Sequence, residues 1–214
     1  MKILKKTNEL KFNKNFILIA LNLSFITYHH KYNLLNKDSI LWPDGIMSKY
    51  YKSNKKIPGS KLISQLIIPQ SIRKIVVLGN LPNKSKKFLK DKYGRKIINI
   101  KLPFDRIENI KKKLPKINKS YLYLITLPTP KQELIGKYLI KKNKNYKIIC
   151  IGGGLDIASG HIKRTPKIFY NLGLESIWRL FSSDFFRRFK RLFYTLLSFI
   201  YLYLFKREKL NKLI

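Results

Sequence analysis

The sequence predicts an α/β fold in which an open parallel sheet carries helices on both faces, and three observations predict it. Short apolar runs recur at residues 16–21, 39–42, 74–78, 96–100, 121–126 and 147–151. Runs of this length without polar alternation read as strands buried on both sides. Longer amphipathic stretches lie between them, at 23–32, 84–93, 105–114 and 130–142, and strands alternating with helices build a parallel sheet. The runs also end on polar or glycine-rich punctuation: Asn22, Pro43-Asp44-Gly45, Gly79-Asn80-Leu81-Pro82, Thr129 to Glu133, and Gly152-Gly153-Gly154-Leu155-Asp156. In a Rossmann-like sheet these segments meet in the crevice beyond the carboxyl ends of the strands, where ligands bind.

Taken in order, the first run follows Lys2, Lys5 and Lys6, a superficial likeness to a signal peptide. Asn22 interrupts the apolar stretch and no small-x-small site follows, so a buried first strand is the better reading. Pro43-Asp44-Gly45 suits successive positions of a tight turn. Thr129-Pro130-Lys131-Gln132 reads as a capping box with proline at the first helical position, in which Gln132 satisfies a backbone donor. Glu133 then sits favourably at the positive helix start. The three glycines let phosphate approach backbone N–H groups, but they follow the last strand, so they do not form a dinucleotide fingerprint.

With 214 residues, 45% of them hydrophobic, the chain fills one domain and an appendage. The boundary is expected near 180, with an α/β domain over 1–180 and a basic, apolar helix over 181–214. Lys+Arg of 46 against Asp+Glu of 11 gives a net charge of +35, which favours anionic partners. The accompanying wealth of Lys, Ile, Asn and Tyr is what an AT-rich genome imposes, so part of the charge belongs to solvated faces. The single cysteine, Cys150, lies in an apolar run and reads as core. Three histidines without ligand spacing and the lack of an Asp-x-Asp pair give no reason to expect a metal, and no cofactor is expected.

Arginine is concentrated late, at Arg164, Arg179, Arg187, Arg188 and Arg191. Guanidinium forks grip phosphate bidentately where lysine acts as a point charge. The uncharged run 192–205 follows. As a helix its 14 residues reach about 21 Å, short of the roughly 30 Å hydrocarbon layer, so it suits a helix lying in the membrane interface. Asp184, Arg188, Arg191, Thr195 and Ser198 fall at helical spacing as a polar stripe.

These motifs together resemble the WecG/TagA/CpsF family of bacterial glycosyltransferases. The resemblance runs from about Asn22 to Arg191 and is carried by PKQE (130–133), GGGLDIASG (152–160), RTP (164–166) and GLESIWRL (173–180). It implies metal-independent, inverting transfer of a sugar, N-acetylmannosamine or a relative, from a UDP-sugar to a polyprenyl-diphosphate-linked sugar in polysaccharide or wall-polymer synthesis. The enzyme would sit peripherally on the inner face of the cell membrane. The resemblance makes Asp44 the general base and places Gln132 by the reacting centre. Asn22, Gly45, Lys56, Gly59, Lys131, Glu133, Gly153, Asp156 and Arg164 become substrate-binding positions, Asp156 beside the nucleoside. Arg179, Arg187, Arg188 and Arg191 are to meet the diphosphates or the membrane.

Gly-Leu-Glu-Trp ends here in Ser176, and three further positions depart from the family pattern. Thr-x-Asn is Ala20-Leu21-Asn22, Arg-x-x-Gly is Lys56-Ile57-Pro58-Gly59, and Gly-Tyr-Phe is Leu102-Pro103-Phe104. They keep a second reading open, a catalytically impaired relative that binds UDP-sugar or membrane. A nucleic-acid-binding protein, resting on charge alone, ranks last because no basic and aromatic interleaving of a known module accompanies it; no nucleic-acid partner is expected. Self-association into a homo-oligomer is left open.

Overall fold

The structure is a computed structural model that describes residues 2–45, 56–103, 105–143, 145–171, 178 and 185–206. Its centre is a seven-stranded, all-parallel sheet. In chain order the elements are β1 (Lys2–Ile3), β2 (Phe16–Leu21), α1 (Leu23–Tyr32), β3 (Ser39–Pro43), α2 (Gly59–Gln65), β4 (Lys74–Leu78), α3 (Asn83–Tyr93), β5 (Lys96–Ile100), α4 (Ile107–Lys112), β6 (Tyr121–Ile125), α5 (Lys131–Lys142), β7 (Lys147–Cys150), α6 (Gly154–Ala158), α7 (Lys167–Asn171) and α8 (Phe185–Phe205). In space the strands run β1-β3-β2-β7-β6-β4-β5. The α/β reading is therefore the observed architecture. Strand β1 and helices α2, α6 and α7 are additions to the elements expected from sequence.

Alternate residues of each strand feed two cores. Ile17, Ile19, Leu21, Tyr123, Ile125, Ile148 and Cys150 pack with Phe25 and Ile26 of α1, Ile110 of α4, Ile135 of α5 and Leu202 of α8. Phe16, Leu18, Ala20, Leu122, Leu124 and Ile149 pack on the other face with Leu62 and Ile63 of α2, Leu89 of α3 and Leu155 of α6. Period-two alternation on a sheet buried on both sides explains why the strands read as unbroken apolar runs.

The two-core division also routes the loops. The chain leaves β2 toward one face, while its neighbours β3 and β7 send α2 and α6 to the other. The backbone therefore parts above the carboxyl end of β2, which opens a crevice there. Asn22 starts the parting: its Oδ1 accepts a hydrogen bond from the N–H of Phe25 at 3.0 Å and caps α1.

Helix α8 packs on α1. Leu202 is buried, the Tyr194 ring stacks on Tyr28 at 5.7 Å, and the Thr27 hydroxyl donates to the carbonyl of Leu23 at 3.1 Å and approaches that of Thr195 at 3.4 Å. Thr195 is only 2% exposed. Of the expected polar stripe, Asp184 and the side chains of Arg188 and Arg191 lie outside the described residues; Thr195 faces the protein, and the outward surface of α8 carries Phe193, Leu197, Ile200, Tyr203 and Leu204. Among the described residues no helix is long and apolar enough to cross a membrane.

Candidate active site

Four neighbouring strands, β3, β2, β7 and β6, end side by side, and three strand spacings cover about 14 Å. Just beyond β3, the N–H of Asp44 donates to the carbonyl of Leu21 at 3.2 Å, which ties the Asp44 backbone to the end of β2. A side-chain carbon on Gly45 would stand 3.9 Å from Cβ of Asn22. Asp44, Gly45 and Asn22 thus form one corner of the crevice. The chain is next described at Lys56, and the N–H of Ile57 returns to the carbonyl of Pro43 at 2.8 Å. Lys56 and Gly59 accordingly border the same corner.

Gly59 opens α2 and lies against Gly154, the first residue of α6. A Cβ on Gly154 would come 2.9 Å from the Gly59 carbonyl carbon and 3.0 Å from its Cα. Only glycine permits this backbone-to-backbone approach. It brings the Lys56 to Gly59 segment to the glycine turn after β7, where Gly153 is exposed with open space at its Cβ position.

The start of α5 holds a buried polar cluster. Gln132 is 4% exposed and Glu133 0%. The Gln132 amide nitrogen donates to Glu133 Oε1 at 2.9 Å and to the Thr129 hydroxyl at 3.2 Å, and that hydroxyl donates to Glu133 Oε1 at 2.9 Å. Gln132 Oε1 and Glu133 Oε2 have no partner. The expected capping box does not form: Pro130 is the cap, without a side-chain hydrogen bond to the helix start. The physical reason is burial. A carboxylate placed at the helix start inside the fold draws on every donor within reach, its own backbone N–H and then the amide and hydroxyl beside it, so Gln132 and Thr129 are spent on Glu133 rather than on the helix start.

Burial pushes the Glu133 carboxyl up to about 7, with the hydrogen bonds it accepts pulling the other way. Cys150 lies behind this cluster, its thiol 3.6 Å from the Gln132 carbonyl and held protonated first by burial and then by the nearby Glu133 charge. Gly152, in the left-handed region at φ 52°, covers the cluster: a Cβ there would lie 3.7 Å from Gln132 Oε1 and 3.8 Å from the carbonyl of Leu127.

The remaining sequence-derived positions are spread around this edge. Lys131 reaches away from it, donating through Nζ to the carbonyl of Asp105 at 2.7 Å. Asp156 stands on the α2–α3–α6 face, where its Oδ1 accepts from the Ser85 hydroxyl at 2.7 Å, and Ser85 in turn pairs with Ser159 at 2.9 Å. Ser85, wholly buried in the first turn of α3, was not among the candidates. A serine in a lysine-rich helix start gives no signal until the aspartate partner is seen. Arg164 is exposed beyond α6. Arg187, Arg188 and Arg191 belong to the first half of α8, and their side chains lie outside the described structure. Arg179 also lies outside the described residues. Among the described residues no three His, Cys, Asp or Glu side chains gather as a metal site needs.

The family model described as "Glycosyl transferase WecG/TagA/CpsF family" matches residues 2–213, nearly the whole chain.

Proposed function

The chain belongs to the WecG/TagA/CpsF glycosyltransferase family, an enzyme family of sugar transfer in polysaccharide or cell-wall synthesis, and from that premise we propose a specific reaction for it. The donor is a UDP-sugar, and the acceptor is a sugar hydroxyl on a polyprenyl diphosphate at the cytoplasmic membrane face. Asp44 takes the proton of that hydroxyl as its oxygen bonds to the anomeric carbon. The bond from that carbon to the diphosphate breaks, and UDP leaves with the electron pair. Inversion at carbon follows from attack opposite the leaving group. Lys56, Arg164 and the arginines of the late segment supply the fixed positive charge that the departing UDP requires.

The observation that carries the reading is the shared corner. Asp44, the single carboxylate among the described residues at the ends of β2 and β3, lies on the sheet edge where the Gly59–Gly154 contact and the Gln132 cluster also sit. Asp44→Asn is the test. The variant should lower transfer by about a hundredfold or more while its affinity for UDP stays at the wild-type value; undiminished turnover would remove Asp44 as the base.

The membrane side of the proposal rests on α8. Its outward face is apolar and aromatic, with Phe186 86% and Phe205 69% exposed, and basic residues crowd its amino-terminal half. That combination suits a helix lying in the headgroup layer of an anionic bilayer. The impaired-relative reading draws on Ala20, Lys56 and Leu102, of which Ala20 and Leu102 are buried, one in each core. Release of UDP in the presence of a prenyl-diphosphate-linked sugar decides between the two.

A further inference from the structure

The buried cluster at the start of α5 contains a group that the proposed chemistry does not use. Glu133 is wholly enclosed and stands behind Gln132, so its carboxylate meets Gln132 and Thr129 rather than the crevice. The hydrogen-bond inventory around it permits one arrangement. A carboxylate only accepts. The Thr129 hydroxyl has one proton and gives it to Glu133 Oε1 at 2.9 Å. Both neighbours of the Gln132 amide within hydrogen-bond reach on that side therefore present lone pairs, and the amide must turn its nitrogen to them, as seen at 2.9 and 3.2 Å. The reversed amide would set its oxygen against a carboxylate oxygen. Amide orientation is here dictated by chemistry rather than by shape.

The consequence falls on the other end of the amide. With both N–H groups spent, Gln132 has one free function, its Oε1, which is buried without a partner. It lies by the underside of Gly152, where an added Cβ would stand 3.7 Å from Oε1, 3.8 Å from the carbonyl oxygen of Leu127 and 4.0 Å from Gln132 Nε2. The nitrogen is already committed to Thr129 and Glu133, so the buried Oε1 is the atom that still requires a donor.

We propose that Glu133 is a positioning residue which, with Thr129, fixes the Gln132 amide so that the site beneath the Gly152 turn accepts a hydrogen-bond donor of the substrate, a sugar hydroxyl or acetamido N–H, and rejects an anionic oxygen. This rests on the reading of the crevice as a nucleotide-sugar site. It separates the labour within the motif: Gln132 meets the sugar, Glu133 sets which face of Gln132 the sugar meets, and phosphate is left to the cations. Protonation of Glu133 gives the carboxyl a donor of its own, and the preference for one amide orientation is lost. The other titratable group facing Glu133 is Cys150 on β7, which burial keeps neutral, so the pH response belongs to Glu133.

Binding to the full chain tests this. UDP, UDP-N-acetylmannosamine and farnesyl-diphosphate-linked N-acetylglucosamine are titrated calorimetrically into wild type, Glu133→Gln and Thr129→Val, with melting temperatures measured alongside. Both variants should lose about three- to tenfold in affinity for a sugar-bearing ligand while binding UDP as wild type does. Loss confined to UDP-N-acetylmannosamine assigns the donor sugar to Gln132, and loss confined to the prenyl compound assigns the acceptor sugar. Between pH 6 and 8 the wild-type affinity for that ligand should rise, and the rise should flatten in Glu133→Gln. A folded variant with unchanged sugar affinity overturns the proposal, as does an equal loss for UDP itself or a wild type that gains nothing from either sugar. A wild type that binds no UDP removes the nucleotide-sugar reading and this inference with it.

Discussion

Helices α5 and α8 break the ordinary partition of residues in opposite directions. The first turn of α5 takes an amide and a carboxyl into the interior, at 4% and 0% exposure. The outer face of α8 leaves Phe193, Ile200 and Leu204 at 54%, 51% and 63% exposure. Each arrangement costs stability, because buried carboxyls lose hydration and exposed apolar surface keeps water ordered around it. Costs of this kind persist where function requires them. The difference between the two helices divides the proposed reaction between them: the proposal assigns the sugar to the polarity turned inward at the strand ends, and the lipid that carries it to the apolarity turned outward.

The comparison breaks first at Leu202. If α8 were only an appendage, its residues would be dispensable to the fold, yet Leu202 is 3% exposed within the same core as Phe25 and Ile135. Leu202→Ala should cost about 2–5 kcal/mol, read from chemical denaturation. A cost below about 0.5 kcal/mol would make α8 a detached arm.

Glu133→Gln sharpens the other side. The carboxyl is held at about 7 in the fold against 4.5 as the ordinary value, so the native state binds the proton more tightly than the unfolded chain does. Stability therefore falls as pH rises from about 4.5 to 7, by about 3 kcal/mol in all, and stays low above. The glutamine variant lacks that slope and should be the more stable protein at pH 8, with the two converging near pH 4.5. Parallel stability curves across that range would show that Glu133 titrates normally. A smaller effect, about 1–3 kcal/mol, is expected of Gly154→Ala, whose new methyl meets Gly59 backbone rather than a yielding side chain.

Much of this was legible in the residues, and the failures have physical causes. The strands could be read because a sheet covered on both faces needs apolar residues at every position. The two-residue β1 is too short to show a pattern, and α2 offers only Leu62 and Ile63 as buried residues. Asn22, Asp44, Gly45 and the glycine turn could be placed together because parallel topology gathers strand ends at one edge. The roles within Thr129-Pro130-Lys131-Gln132-Glu133 could not, since a capping box and a buried side-chain network use the same letters, and only burial of Glu133 decides which forms. Thr195 shows the same limit of spacing. Helical spacing establishes which residues share a face and leaves open what that face meets.

The smallest effect on stability is expected on the outward face of α8, and it bears most directly on the comparison. Phe193 and Ile200 are seven residues apart, so they share one side of the helix, away from the buried Thr195 and Leu202. Lysine at both positions removes two large side chains from whatever covers this face and leaves the packing on α1 intact. Stability should then change by no more than about 0.5 kcal/mol. Inserted in a bilayer, each such side chain contributes about 1.5–3 kcal/mol, so sedimentation with vesicles of anionic phospholipid should fall by tenfold or more. Added lysine charge would itself favour anionic lipid, and a loss of binding despite that charge isolates the apolar contribution. Unchanged sedimentation together with a large loss of stability would mean that protein, rather than lipid, covers the aromatic side of α8.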